Sequence, residues 1–231
     1  MIPIIASHAP TVVAMTGPGS LLTPWRNEVG AILHGFFPGE EYGNALADIL
    51  LGVVNPSGRL PVTMPNIDNE IGFTRDQYPG IAYEGFYSEQ MFVDYRWYTA
   101  HNVIPAFPFG HGLSYTSFEY ADMKVTSCHE ISTVVTNTGS TAGSDVVQLY
   151  VEFPSAAEAP PLQLKGFVKT QILQPGESES ILFRPTVVDL SVWSVDHTGK
   201  SSSHWLLVPG TYKLWIGSSS ADKRLSGFCE V

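Results

Sequence analysis

The sequence predicts an α/β layer followed by an all-β sandwich, and two patterns lead to this fold class. Between residues 10 and 65, buried-strand patterns alternate with a helical pattern, as they do in α/β layers. From residue 118 onward, short segments of alternating apolar and polar residues are separated by turn residues. The 17 Pro and 21 Gly among 231 residues also suit short strands better than long helices.

Residues 1–65 are interpreted as the end of a larger α/β layer. Residues 11–15 and 29–37 have the composition of buried strands, and a helix is predicted between residues 40 and 52. A parallel sheet needs cover on both faces, so two strands and one or two helices are too few for a free-standing domain. We therefore expect a cut sheet edge that another polypeptide segment would have to cover.

Residues 66–117 are interpreted as a connector, and residues 118–231 as the sandwich. The connector is nearly aperiodic but rich in Tyr, Phe and Trp, which a disordered linker would not carry. The predicted strands of the sandwich lie near residues 118–126, 129–137, 145–153, 163–168, 178–184, 204–208, 211–217 and 224–230. About seven strands over ~100 residues is the size of an immunoglobulin-like or fibronectin type III-like sandwich.

Charge and hydropathy exclude several classes of partner. The 22 acidic and 12 basic residues give a net charge of -10, which repels phosphate backbones, so no nucleic-acid partner is expected. No stretch reaches the roughly 20 apolar residues that span a bilayer, so no membrane span is expected. Residues 1–10 lack a basic region before their apolar residues, so no signal peptide is expected there, and the localisation is left open.

The two cysteines, Cys128 and Cys229, do not have the spacing of metal ligands, so neither a metal site nor a cofactor is predicted. They can form a disulfide only if the fold brings them together. Such a bridge would close a long loop and add about 4 to 5 kcal/mol in the chain-entropy account. The favoured interpretation is two free thiols, buried as small apolar side chains.

Three segments in a fixed order carry a resemblance to a known family. They are residues 37–52 followed by 55–61 (Asn-Pro-Ser-Gly-Arg-Leu-Pro), residues 87–98, and residues 107–116 (Phe-Pro-Phe-Gly-His-Gly-Leu-Ser-Tyr-Thr). With the sandwich ending in residues 209–217, they resemble the C-terminal portion of family 3 glycoside hydrolases of the β-glucosidase type. The resemblance covers nearly the whole chain, from about Val12 onward.

The resemblance implies a division of labour within a larger enzyme. In that family a (β/α)8-type barrel carries an Asp nucleophile, an α/β sandwich domain supplies the acid/base, and a fibronectin type III-like domain follows. Residues 1–65 then correspond to the C-terminal part of the α/β sandwich domain. A retaining glycosidase needs two carboxylates about 5 to 5.5 Å apart, and the resemblance places both before this chain.

No catalytic residue is therefore assigned, the substrate-binding residues are left open, and the chain alone is expected to be inactive. The complete enzyme would bind a β-glucoside or an oligosaccharide and hydrolyse terminal β-D-glucosides. A barrel domain or a second copy would be the partner of this chain. The alternative is a stand-alone, non-catalytic sandwich module that contacts proteins or carbohydrates.

Several side chains could carry chemistry, but each also has a structural interpretation, which we favour. For the adjacent Glu40 and Glu41, it is favourable charge in the first turn of a helix. For the connector carboxylates it is a salt bridge to Arg96 or a hydrogen bond to backbone amides, although a carboxylate among aromatic rings could also sit beside a sugar. These connector carboxylates are Glu84, Glu89 and Asp94.

His111 and the tryptophans are the remaining candidates. His111 could shuttle protons, but its flanking glycines favour a tight turn instead. Tryptophans could stack on sugar rings, although packing is their commoner role. The four considered are Trp97, Trp193, Trp205 and Trp215. Trp215 stands out because it lies on the polar phase of its strand.

Overall fold

The computed structural model of the chain describes residues 1–195 and 203–231. In the first part of the chain, its elements are helix α1 (Ile2–Ala6), strands β1 (Val12–Met15) and β2 (Ala31–His34), and helices α2 (Tyr42–Leu50) and α3 (Tyr95–His101). Strands β1 and β2 pair in parallel, as an α/β layer requires.

The α/β layer buries little of its own surface. Neither α1 nor α2, both fully described, contains a buried residue, and Val12 of β1 is half exposed. The helix α2 begins after Glu41, so Glu40 and Glu41 precede the helix instead of lying in its first turn. The layer therefore depends on contacts with other parts of the molecule.

Nine strands follow in the second part of the described chain, together with a short 3-10 turn at Ser155–Ala157. They are β3 (Phe118–Ser127), β4 (Glu130–Asn137), β5 (Val146–Glu152), β6 (Gln163–Lys169), β7 (Ser178–Phe183), β8 (Ser191–Ser194), β9 (His204–Leu207), β10 (Thr211–Gly217) and β11 (Lys223–Glu230). All eight predicted strands of the sandwich are confirmed, with ends within one residue of the predicted ones. In the α/β layer, the predicted strands 11–15 and 29–37 correspond to β1 and to the shorter β2. Strand β8, which has only four residues, and helices α1 and α3 were not predicted from the sequence.

The strands form a sandwich of two antiparallel sheets. One sheet has the order β11-β10-β5-β6 and the other β3-β4-β7, while β8 and β9 pair as a separate hairpin. Side chains such as Ile131, Leu149 and Leu214 are fully buried in a common core. This confirms the predicted fold class, while the division of the chain at residues 65 and 117 stays a prediction.

A buried tyrosine fixes the start of β10. The Tyr212 hydroxyl lies 2.8 Å from the carbonyl oxygen of Val208 and 3.0 Å from that of Leu190, and can donate to either. A tyrosine at this position that bonds back to the backbone a few residues upstream is a hallmark of immunoglobulin-like sandwiches.

The cysteines form a disulfide, so the expectation of two free thiols is wrong. Cys128 lies in the turn between β3 and β4, and Cys229 lies in β11, with the two Cα atoms 5.3 Å apart. The sandwich places β3 and β11 side by side at the open edge between the two sheets, where Arg224 Nη1 donates to the carbonyl oxygen of Phe118. This tertiary contact brings the two sulfur atoms together across 101 residues of sequence.

The disulfide is expected to contribute strongly to stability. We expect the double variant Cys128→Ser/Cys229→Ser to lose about 4 to 5 kcal/mol of unfolding free energy, because the unfolded chain regains the freedom of a long loop. Urea denaturation followed by fluorescence measures the loss. Dithiothreitol should destabilise the wild-type chain by a similar amount and leave the variant unchanged. Equal midpoints for the oxidised wild type and the variant would contradict the prediction.

Candidate functional site

Two of the three family-like segments, residues 37–61 and 107–116, meet the loop before β5 at one place, which we call the junction, and Asn55 lies at its centre. The Asn55 side-chain oxygen accepts hydrogen bonds from Ser114 Oγ and Tyr115 N, both at 2.9 Å. Its amide nitrogen donates to the carbonyl oxygen of Ala142 at 3.1 Å. The Tyr115 hydroxyl in turn donates to the carbonyl oxygen of Ile49 in α2. The junction thus ties the α/β layer to the loop before β5.

A buried ion pair between Arg59 and Asp145 crosses the junction. Their side chains are only 10% and 2% exposed, and Arg59 Nη2 donates to Asp145 Oδ1. The other oxygen of Asp145 accepts a hydrogen bond from the Tyr120 hydroxyl at 2.8 Å, and Oδ1 also accepts one from Val146 N. Burial raises the pKa of Tyr120, and the Asp145 charge raises it further. Tyr120 therefore stays protonated and remains a donor.

Backbone segments approach closely at the junction, which explains two of its glycines. A Cβ atom on Gly112 would lie 2.6 Å from Arg59 Nη1 and closer still to the carbonyl oxygen of Gly58. A Cβ atom on Gly143 would collide with the side-chain amide of Asn55. These positions need glycine because no side-chain carbon fits there.

His111 belongs to the junction as a turn residue. Its backbone N–H donates to the carbonyl oxygen of Pro108, its own carbonyl accepts from Leu60 N, and Gly110 has a φ of +80°, which confirms the predicted turn. The imidazole stacks on the Phe107 ring with centroids 5.5 Å apart. Burial lowers the pKa of His111, the Arg59 charge lowers it further, and the Asp222 charge opposes both.

The connector packs one of its faces against the outer side of the four-stranded sheet. The Tyr95 ring of α3 stacks on Phe109 with centroids 4.6 Å apart and meets the Tyr150 ring edge-on at 6.1 Å. The Tyr95 hydroxyl accepts a hydrogen bond from Leu164 N. Trp215 packs against this cluster, which accounts for its place on the polar phase of β10.

Further contacts hold Trp215 in place. Its indole N–H donates to Glu152 Oε1, and the Lys213 ammonium lies 4.2 Å from its ring centroid. The other pair of tryptophans behaves differently. Trp193 and Trp205 face each other across the β8-β9 hairpin with centroids 5.3 Å apart, and each is about half exposed.

The connector carboxylates have separate roles. Asp94 accepts hydrogen bonds from the backbone N–H and the hydroxyl of Thr63, at 2.8 and 2.9 Å, which bears out the amide-bonding interpretation. The alternative salt bridge to Arg96 is wrong for Asp94, because the Arg96 guanidinium lies over the Tyr95 ring instead. Glu84 closes a tight turn through its backbone.

Glu89 lines an open groove of about 490 Å³, which we call the connector groove. Its lining residues are Gln77, Ser88, Glu89, Phe92, Trp97, Ala100 and His101. Glu89 Oε2 accepts a hydrogen bond from Gln77 Nε2 at 3.1 Å. Trp97 stacks on His101 with ring centroids 4.3 Å apart. Of the candidate tryptophans and connector carboxylates, Trp97 and Glu89 are the pair that this groove brings together.

The described residues contain neither a metal-binding cluster nor a membrane-spanning helix. Within residues 1–195 and 203–231, no cluster of three or more His, Cys, Asp or Glu side chains is placed to bind a metal ion. Over the same described part of the chain, no helix has the length and apolar character to cross a bilayer.

Both halves of the molecule match known protein families. Residues 2–115 match the glycosyl hydrolase family 3 C-terminal domain, and residues 145–220 match the fibronectin type III-like domain. The chain is 35% identical to probable beta-glucosidase D of Aspergillus niger and 34% identical to probable beta-glucosidase L of Emericella nidulans. The alignments cover 94% and 97% of this chain but only 30% and 33% of those proteins.

Solved structures give the same result. DesR, a beta-glucosidase from Streptomyces venezuelae solved with D-glucose, superposes on the chain with a TM-score of 0.92 at 33% identity. That match covers 100% of this chain and 30% of DesR. Beta-glucosidase 3B from Thermotoga neapolitana superposes with a TM-score of 0.86 at 33% identity, covering 97% of this chain and 32% of that one.

An α/β layer tied through such a junction to a fibronectin type III-like sandwich defines the C-terminal portion of a multidomain glycoside hydrolase. The chain belongs to family 3 of these hydrolases, which confirms the resemblance found in the sequence. It spans about 30% of the length of the curated relatives it matches. Asn55 and Arg59 lie in a family-like segment recognised in the sequence, whereas Asp145 was not singled out. Its only sequence signal was its position at the start of a predicted strand.

Breaking the ion pair from one side should be costly. We expect Arg59→Leu to lose about 3 to 5 kcal/mol of unfolding free energy, because it leaves the Asp145 charge buried without its partner. The double variant Arg59→Leu/Asp145→Asn should lose less, because it buries no unpaired charge and the side-chain oxygen introduced at position 145 can still accept the hydrogen bond from Tyr120. Urea denaturation of the single and double variants measures both values.

The more exposed pair Arg224–Asp222 offers a comparison, because the Asp222 side chain is 47% exposed. We expect Asp222→Asn to cost at most about 1 kcal/mol. An Arg59→Leu loss no larger than that of Asp222→Asn would contradict the importance of the junction pair.

His111 should titrate below the usual histidine pKa of 6.5. Because its pKa is lowered in the folded state, the unfolded chain takes up the proton first as the pH falls below 6.5. The stability from neutral His111 is thus complete above that pH and is lost as the pH falls through the folded pKa. NMR titration of the imidazole Cε1–H signal, assigned with His111→Asn, measures this pKa, and a value of 6.5 or above would contradict the prediction.

Proposed function

We propose that this chain forms the C-terminal supporting part of a β-glucosidase-type retaining hydrolase, whose complete form hydrolyses terminal β-D-glucosides. In this proposal the catalytic carboxylates lie outside the chain, and the chain alone is inactive. The relatives named above are beta-glucosidases or probable beta-glucosidases, and this supports the choice of substrate class.

The observation that carries the proposal is the exposed apolar face of the connector. Its large side chains are between 45% and 110% exposed, which is unusual for a surface that meets only water. They are Ile67, Tyr78, Ile81, Tyr83, Phe86, Tyr87, Met91, Val93 and Ile104. A surface of this kind marks a contact with another protein part, and in this proposal that part is a barrel domain.

The tip of this face is a strained turn. Ala82 and Tyr83 have φ values of 52° and 69°, in the left-handed region that residues other than glycine rarely adopt. Ile81 and Glu84 close the turn through two backbone hydrogen bonds, and the Tyr83 ring is fully exposed at its end. A strained turn that presents an aromatic ring suits insertion into a neighbouring domain.

The parallel pair β1-β2 supports the same proposal. A two-stranded parallel sheet with a half-exposed Val12 has edges and faces left to cover. In the proposed complete protein, further strands of the α/β sandwich domain cover them. A second copy of the chain is the alternative partner for this surface.

A chimera tests the proposal. This chain would replace the matching 32% of beta-glucosidase 3B from Thermotoga neapolitana. We expect the chimera to hydrolyse an aryl β-glucoside, while this chain alone and the truncated Thermotoga protein alone do not. A chimera carrying Arg59→Leu should lose most of the activity, since its junction is broken.

Two outcomes would overturn the proposal. One is turnover by the purified chain alone above background, because the proposal places the nucleophile elsewhere. The other is a folded chimera without turnover. Light scattering of the chain alone distinguishes the two candidate partners, a barrel domain and a second copy. A stable dimer that buries the exposed connector side chains would identify the second copy as the partner.

A further inference from the structure

The connector groove combines features that suit a small polar ligand. Its volume of about 490 Å³ falls within the usual range for such ligands, about 300 to 1,000 Å³. One part of its lining is aromatic or aliphatic, from Phe92, Trp97 and Ala100. The remaining part is polar and includes a carboxylate, an amide, a hydroxyl and an imidazole.

The polar side chains present acceptors to the groove. Glu89 uses Oε2 to bind Gln77, and within the described part of the chain Oε1 has no hydrogen bond. His101 Nδ1 lies 2.9 Å from the carbonyl oxygen of Trp97, which can only accept. In the neutral imidazole the proton therefore sits on Nδ1, and Nε2 is an acceptor. Acceptors of this kind suit a ligand that donates hydrogen bonds from several hydroxyl groups.

Charge narrows the class of ligand. The Glu89 carboxylate and the net charge of -10 both disfavour an anion. The half-buried Phe92 and Trp97 side chains give the groove an apolar wall. Because His101 already stacks on one face of the Trp97 ring, the C–H face of a sugar ring can pack only on Phe92 or on the other face of Trp97. A neutral pyranose has both required features, with hydroxyl donors at its rim and an apolar face.

Hydrogen bonds on two sides hold the groove in shape. The Tyr98 side chain, next to Trp97 in α3, is buried, and its hydroxyl donates to Glu70 at 2.8 Å. Hydrogen bonds from Asn66 and Tyr98 lower the pKa of Glu70 against the opposing effect of burial, so Glu70 stays ionised as an acceptor. On the other side, Gln77 Oε1 accepts from Thr74 N. Such support reduces the ordering cost of binding.

We propose that the connector groove is a binding site for a neutral pyranose ring, with Glu89 accepting hydrogen bonds from its hydroxyl groups and Phe92 or Trp97 covering its apolar face. The choice of a glucose-containing probe rests on the proposed function, whereas the chemistry of the groove does not. The site requires only the residues of this chain.

The test uses the full 231-residue chain with methyl β-D-glucopyranoside and cellobiose. Saturation-transfer NMR detects binding, and calorimetry measures a dissociation constant, which we expect to be about 1 mM for a single-ring site. Glu89→Gln should weaken binding about five- to tenfold, because the new amide replaces an acceptor with a donor. Ala100→Trp should abolish binding by filling the groove without removing any of its supporting contacts.

Matched controls distinguish this site from the other aromatic surfaces. Glu84→Gln makes the same chemical change on the same connector outside the groove, and Trp193→Ala removes an exposed ring from the β8-β9 hairpin. Both should bind as the wild type does. Glucuronate should bind more weakly than the neutral glucoside, because its carboxylate would face Glu89.

Three results would overturn the proposal. They are no saturation transfer with the probes at tens of millimolar, binding that survives Ala100→Trp, and binding that Trp193→Ala removes. A failed chimera would sink the proposed function but leave this site intact, because its test measures binding by the chain itself. Conversely, an active chimera with no sugar binding to the chain would sink this site alone.

Discussion

The buried contact between Arg59 and Asp145 is the interaction on which the arrangement of the whole molecule depends. Asp145 immediately precedes β5, binds Val146 N at the start of that strand, and accepts a hydrogen bond from Tyr120 of β3. One carboxylate therefore joins two strands from opposite sheets and a segment of the α/β layer. Because neither charge is stable when it is buried alone, the contact forms only when both parts are folded.

The connector both packs on the sandwich and exposes large aromatic side chains. Through Tyr95 and Phe109 it covers the outer side of the four-stranded sheet, which would otherwise expose Tyr150 to water. Elsewhere it exposes aromatic rings that nothing in the described structure covers, among them the fully exposed ring of Tyr83. One aperiodic segment thus both completes the sandwich and provides a surface for a further part of the protein. This double use explains why so many aromatic residues occur where regular structure is sparse.

The strands of the sandwich could be predicted from sequence because their signals are local. Period-two alternation and turn residues fixed eight strands, whereas β8 offered only Ser191 to Ser194, too short a run to show a period. The disulfide could not be predicted, because it depends on β3 and β11 meeting at an edge. The junction could not be predicted either. In the sequence, Asp145 is an ordinary polar residue before a strand, and only the fold brings Arg59, 86 residues away, into contact with it. The amide-bonding role of Asp94 was within reach, but its partner Thr63 lies 31 residues away.

The bond between Cys128 and Cys229 also changes what a break in the backbone would mean. It closes a covalent ring that contains every strand from β4 to β10 and most of β11. A protease that cuts once inside this ring leaves both products on a single molecule, still paired in the same sheets. Damage of this kind would stay hidden on a gel run without reductant. The sandwich can therefore be nicked in a surface loop and keep its place beside the rest of the protein.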